Sequence, residues 1–176
     1  MIKKYIWHFL LLCAGTILAG TLLHFVYEWS GNMAWVGTFS AVNESTFEHL
    51  KLLITPLLLF GIIGFIRHRS HFQNIFPALL FAILTGTLTI TAFFYTYTGI
   101  IGTNFMVLDI FSFILGTFVS YFVIFRTIAS DRFTSTAWNV FSVIAILVIA
   151  ASMVFFTFYP PQIALFKDPL TKTFGI

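Results

Sequence analysis

Two short stretches of this chain concentrate side chains that move protons or hold metals. His24 and Glu28 stand four residues apart in one hydrophobic run, so they share a helical face. The segment Asn43-Glu-Ser-Thr-Phe-Glu-His-Leu-Lys51 brings Glu44, Glu48, His49 and Lys51 to the head of a second run. Asp109 opens a later run, and Tyr95 and Tyr97 close the one before it. A carboxyl group withdrawn from water holds its proton more tightly, and imidazole titrates near neutrality. His24, Glu28, Glu48, His49 and Asp109 are therefore candidate acid/base groups, with Glu44, Lys51, Tyr95 and Tyr97 as candidate binding groups around them. The same residue types suit a divalent metal, for which His24, Glu28, His49 and Asp109 offer two imidazoles and two carboxylates. Covalent catalysis has no support: Cys13 falls in mid-run, and no serine elbow or Ser-x-x-Lys exists.

Structural uses compete for some of these residues. Ser45 and Glu48 have the spacing of a capping box, in which each side chain satisfies a free N–H at a helix start. Acids there also face the positive end of the helix dipole. Lys51 has the option of snorkelling toward water. His49 has no such excuse and needs a partner; Asp109 and Glu28 are at the right depth.

The elements that must position these groups are membrane spans. Of 176 residues, 59% are hydrophobic and 9% charged, with 24 Phe. Mean hydropathy is +0.98. A soluble domain carries about 25% charged residues, so this composition excludes a water-exposed globule. It also excludes a nucleic-acid partner, because a net charge of +3 without a basic cluster gives phosphates nothing to bind. A helix needs about 20 apolar residues to cross a bilayer, and five stretches qualify: about 5–28, 46–66, 75–97, 105–126 and 136–158. The expected fold is all-α: one domain over 1–176, a polytopic bundle of five antiparallel spans in the lipid bilayer. The first run is longer than the 7–15 residues of a signal-peptide core, which predicts a retained anchor. Leu18-Ala19-Gly20 is followed by Thr21, not by the cysteine of a lipoprotein. Short connections predict that sequential spans are neighbours.

Basic residues orient the bundle. With the N-terminus inside and the C-terminus outside, Lys3, Lys4, Arg67, Arg69, Arg126 and Arg132 are internal, leaving Lys51, Lys167 and Lys172 external. Glu28, Glu44, Glu48, Asp109 and Asp168 then lie outside with the 29–45 loop, whose Trp29, Trp35 and Phe39 suit a membrane interface. His68 and His71 fall in the basic inner loop and carry no assigned chemistry.

Helical phase predicts which faces meet. Thr16, Gly20, His24 and Glu28 form a stripe in span one; Glu48, Lys51 and Thr55 in span two; Thr85, Thr89, Ala92 and Thr96 in span three; Asp109, Ser112, Gly116 and Ser120 in span four. Small residues of this kind pack membrane helices closely. Charged residues cap the stripes at one end, which predicts one buried cluster of His24, Glu28, Lys51 and Asp109 in the outer third. Prolines at 160, 161 and 169 stop the tail from forming a span. The tail is expected to fold over the outer mouth as a lid, with Phe166 against the 29–39 loop and Asp168 near the cluster.

His24-Phe-Val-Tyr-Glu-Trp-Ser-Gly31, the run Val36 to Lys51, Tyr97-Thr-Gly-Ile100 ahead of Asp109, and Pro160-Pro161 through Phe166-Lys-Asp-Pro169 resemble, across almost the whole chain, a family of small bacterial integral membrane proteins of unknown function. That resemblance implies a multi-pass protein of the bacterial cytoplasmic membrane and supplies no activity. A distant similarity to the four-helix group of sterol isomerases and the sigma-2 receptor carries over at His24, Glu28 and Glu44, and implies an amphipathic ligand. The functions in play are thus acid/base action on a small amphipathic or lipid-like ligand, metal binding, or an assembly subunit using the Gly15-x-x-x-Ala19 face. Transport has little support, since no inverted repeat or broken helix pair is visible.

Overall fold

The computed structural model describes residues 6–68, 70–130 and 132–176. Lys3, Lys4, Arg69 and Asp131 lie outside the described residues, as does the side chain of His68. Five long helices follow in order: α1 (Ile6–Trp29), α2 (Thr46–His68), α3 (Ile75–Ile101), α4 (Met106–Ile128) and α5 (Thr136–Phe158). All five are long and apolar enough to cross a membrane. Among the described residues there is no strand, only an isolated bridge between Lys167 and Phe174 in the tail. The protein is an all-α, multi-pass membrane protein.

Helices α1 to α4 pack as a group, each against its sequence neighbour and α1 against α4. The α3–α4 contact is the tightest. A Cβ on Gly86 would stand 3.0 Å from the Gly116 carbonyl, one on Gly116 3.0 Å from the Gly86 carbonyl, and Ser120 donates to the Ala82 carbonyl at 2.9 Å. Small residues here let two backbones touch, as in membrane helix pairs generally. Span four thus uses its predicted stripe, with Ser112, Gly116 and Ser120 buried. Span three does not: Ala82, Gly86, Ile90 and Tyr97 face inward, while Ala92 and Thr96 are exposed. Thr85 and Thr89 donate to the carbonyls of Phe81 and Thr85 four residues back, so their hydroxyls need no neighbouring helix.

One expected neighbour pair is also replaced. Helix α5 packs chiefly on α3 and on the loop after α1, not along α4. The Asn74 side chain reaches the carbonyls of Thr127, Ser130 and Arg132 at 2.7 to 3.0 Å, and Asn139 donates to the Gln73 carbonyl. These bonds draw the α4–α5 connection across the start of α3, and α5 rises on the far side.

Helices α1 and α2 approach through a proline. Pro56 has no N–H, which frees the Leu52 carbonyl four residues earlier. That carbonyl lies against Gly20, where a Cβ would stand 2.4 Å from it and 2.5 Å from the Phe113 ring. Gly15 likewise rests on Phe60 of the same chain. The loop 30–45 and the tail 159–176 cover the same end of the bundle, called the tail side below.

Candidate functional site

The polar residues of the tail side fall into three groups rather than one. The first is a buried ion pair. Lys51 Nζ donates to Glu48 Oε2 at 2.6 Å, to the carbonyls of Gly37 (2.8 Å) and Ser40 (3.4 Å), and to Thr157 Oγ1. Glu48 also accepts from the Val42 N–H at 3.1 Å and from the Thr157 hydroxyl at 3.3 Å. Both charged side chains are about 1% exposed. Every polar atom is used to tie α2 to the loop and to α5, so the pair is a structural clasp. The predicted capping box is correspondingly half formed: Ser45 Oγ accepts from the Glu48 N–H at 3.4 Å, but the Glu48 carboxylate turns to Val42 and Lys51, and Asn43 Oδ1 takes the Ser45 N–H instead.

The second group is Asp109 at the first turn of α4. It accepts from the Tyr97 hydroxyl and from Asn104 Nδ2 at 3.0 Å, while Tyr97 Oη accepts from the Phe105 N–H. Tyr97 is thereby a buried positioning residue. Tyr95, one of the candidate binding groups, is exposed and lies away from the pocket described next.

The third group joins three elements. His24 from α1 and His49 from α2 flank Glu44 from the loop, with His24 Nε2 3.6 Å from Glu44 Oε1 and His49 Nε2 3.5 Å from Glu44 Oε2. The two imidazoles stand 5.2 Å apart, centre to centre. One ligand atom from each of the three residues lies within 4.8 Å of the others, a set able to hold a metal ion. Glu28, which the four-residue spacing pairs with His24, is exposed at the end of α1. Just beyond it the chain turns through Gly31 (φ 75°) and Asn32 (φ 61°). Glu44 therefore replaces Glu28 beside His24, and Lys51 and Asp109 are not members of this group.

Between α2, α3, α4 and the tail lies a cavity of about 130 Å³. Glu44, His49, Asn104, Asp109 and Ser112 supply its polar side; Leu52, Ile90, Phe94, Phe113, Pro169 and Leu170 supply the apolar side. Two of the three polar groups thus open onto one space. A second cavity, about 90 Å³, sits toward the other end and is lined mainly by Phe9, Leu12, Leu57, Phe60 and Leu79. Its tyrosine, Tyr121, is already bonded to Thr16 at 2.8 Å.

The tail walls the first cavity but not as expected. Phe166 is buried between Phe47 and Phe156, at ring distances of 4.4 and 5.4 Å, rather than against the 29–39 loop. The Ile176 N–H donates to the Thr157 carbonyl, and Asn43 Nδ2 to the Gly175 carbonyl. Asp168 is buried; burial pushes its pKa up, but bonds accepted from the Leu170 and Thr171 N–H groups and from the Glu44 N–H outweigh this and hold it below the ordinary carboxylate value. Asp168 thus anchors the turn that presents Pro169 and Leu170 to the cavity.

The model of a family of unknown function, DUF6512, matches residues 2–176. No curated protein and no solved structure matches the chain.

Proposed function

The chain belongs to this family of unknown function, and from its site we propose that the tail-side cavity binds the polar end of a small amphipathic, lipid-like molecule and acts on it by acid/base chemistry, with Asp109 as the proton-transferring group. The observation that carries this is the two-sided lining: Glu44, His49, Asn104, Asp109 and Ser112 on one wall, apolar residues on the other. A cavity of about 130 Å³ is smaller than the roughly 300–1,000 Å³ of ordinary ligand pockets. It takes a headgroup-sized fragment, and the apolar remainder of the ligand lies in the surrounding hydrocarbon. Asp109 suits the proton role because Tyr97 and Asn104 fix its carboxylate while it faces the cavity. Basic residues argue for a tail side facing outward, so the ligand comes from the outer leaflet of the bacterial cytoplasmic membrane.

A photoreactive amphipathic probe with a short acyl chain tests this in purified protein reconstituted in lipid. Adducts should map to Phe94, Phe113 and Leu170, and Asp109→Asn should reduce labelling at least tenfold while Glu28→Gln leaves it unchanged. Labelling spread evenly over lipid-facing positions, and equal in all three proteins, would refute the pocket.

A further inference from the structure

We propose that His24, Glu44 and His49 form a binding site for one divalent transition-metal ion, zinc in the first instance, with a free coordination position directed toward the tail-side cavity. The inference deepens the pocket reading, in that Glu44 and His49 belong to both the ligand set and the cavity wall. Metal binding itself rests on separate observations.

The first is distance. A hydrogen bond between imidazole and carboxylate needs about 2.7–3.2 Å. Both His–Glu separations exceed this, at 3.6 and 3.5 Å. Two ligands bound at about 2.0–2.2 Å to one tetrahedral ion stand roughly 3.3–3.6 Å apart. Each separation has the length of one edge of such a tetrahedron, the two ending on different Glu44 oxygens, and one ligand atom from each residue lies within 4.8 Å of the others, so side-chain rotation must bring the set onto one ion.

The second is the tautomer of His49. Its Nδ1 lies 2.9 Å from the Ser45 carbonyl, which has no proton to give, so Nδ1 carries the hydrogen and donates. In the neutral ring the lone pair is then on Nε2, the atom turned toward Glu44. A backbone carbonyl that fixes one ring nitrogen and frees the other is the usual support of a metal-bound histidine. A lone pair aimed at a carboxylate oxygen is repulsive until a cation lies between them.

The third is His24. Its Nδ1 is buried with no hydrogen-bond partner, and its Nε2 has only the distant Glu44 oxygen. The enclosed Nδ1 forfeits an interaction it had in water, whereas Nε2 is not enclosed and is free to take a metal. The carboxylate, for its part, sits on a loop held from both sides. Asn43 bonds the Ser45 N–H and the Gly175 carbonyl, and the Glu44 N–H is held by Asp168. Two histidines and one carboxylate with an open fourth position are a ligand set that zinc enzymes use to polarise a bound oxygen.

The test uses the full chain, purified in detergent, stripped with chelator and titrated with Co²⁺ and Zn²⁺. Wild type should take up one equivalent, with the visible absorption of tetrahedral cobalt, and Zn²⁺ should displace it. His49→Gln and Glu44→Gln should each weaken binding at least tenfold; Glu28→Gln, on the exposed turn nearby, should not. His24→Cys guards against a folding defect, because it should retain the metal and add a thiolate-to-cobalt charge-transfer band. No uptake by well-folded wild type overturns the site, as does equal uptake by the His49→Gln protein, which would mark adventitious binding. Probe labelling of the stripped protein separates the two proposals: labelling at Phe94 and Phe113 without any metal uptake would sink the metal and keep the pocket.

Discussion

Replacing Lys51 by methionine isolates what the buried clasp contributes. The ammonium is about 1% exposed and bonds Glu48, Thr157 and the carbonyls of Gly37 and Ser40. Without it, Glu48 remains as a buried carboxylate held only by the Val42 N–H and the Thr157 hydroxyl. Breaking a buried pair from one side costs about 3–5 kcal/mol. Glu48→Gln should cost a similar amount, since the lysine then keeps its carbonyls but loses its counter-charge. The double variant removes both charges and leaves mainly the Gly37 and Ser40 carbonyls short of a donor, at about 1–3 kcal/mol for an unsatisfied group. Those carbonyls already lack their donor in the Lys51 variant, so the double variant should be no worse than that one, with a coupling of at least about 3 kcal/mol. Reversible unfolding in mixed micelles, run as a double-mutant cycle, measures this directly. Additive effects, or single variants within about 1 kcal/mol of wild type, would refute the clasp and return Lys51 to the list of functional groups. Cobalt binding by those variants that fold should loosen, because Lys51 and Glu48 hold the loop that presents Glu44 although neither is itself a ligand.

Gly20→Ala should push α1 from α2, since its Cβ would meet the Leu52 carbonyl at 2.4 Å; overpacking of this kind costs about 1–3 kcal/mol, read by thermal unfolding, and a neutral result would reject the close crossing. Phe166→Ala should release the tail without unfolding the bundle, so that limited proteolysis cuts after Pro161 while the helices keep their thermal midpoint; loss of both together would contradict this. For Asp168, the lowered folded-state pKa stabilises the tail fully above the unfolded value, and the gain is lost as pH falls through the folded one. Tail protection from protease should therefore decline below about pH 4 in wild type, whereas Asp168→Asn should be weaker at neutral pH and flat across that window. Cysteine labelling fixes the orientation: Lys172→Cys should react from outside and Arg69→Cys should not, and the reverse pattern would invert the bundle.

Much of this architecture was legible because hydropathy runs, prolines and small-residue spacings report local physics. All five spans were visible in the sequence, and so was the close-packed stripe of span four. Span three misled because a threonine hydroxyl in a helix satisfies itself on the carbonyl four residues back, as Thr85 and Thr89 do. A polar-looking stripe then says nothing about which face is inward. The site failed in a related way. Four-residue spacing puts Glu28 on the face of His24, but spacing does not say what covers that face, and at Glu28 it is exposed. The acid that meets His24 comes from Glu44, in a loop where no helical period applies. Thr157, the third member of the clasp, lies more than 100 residues from Lys51, and no spacing rule reaches that far.

The division of the charged residues has a consequence for how the site keeps its shape. Glu48 and His49 are adjacent in sequence but diverge by about 100° around α2, one into the clasp and the other toward Glu44. The clasp fixes the loop at Gly37, Ser40 and Val42, and the tail fixes it at Asn43 and Glu44. Glu44 is thus presented from a segment held at both flanks, although its own carboxylate makes no hydrogen bond. A loop built only to connect α1 and α2 would need no buried lysine, which is costly in lipid unless fully paired. The buried pair is intelligible as the fixed support against which a loop carboxylate is held beside two histidines. It follows that weakening the clasp, for example by Thr157→Val, should loosen cobalt binding without touching any ligand, whereas the same change would leave affinity unaltered if Glu44 were positioned by the tail alone.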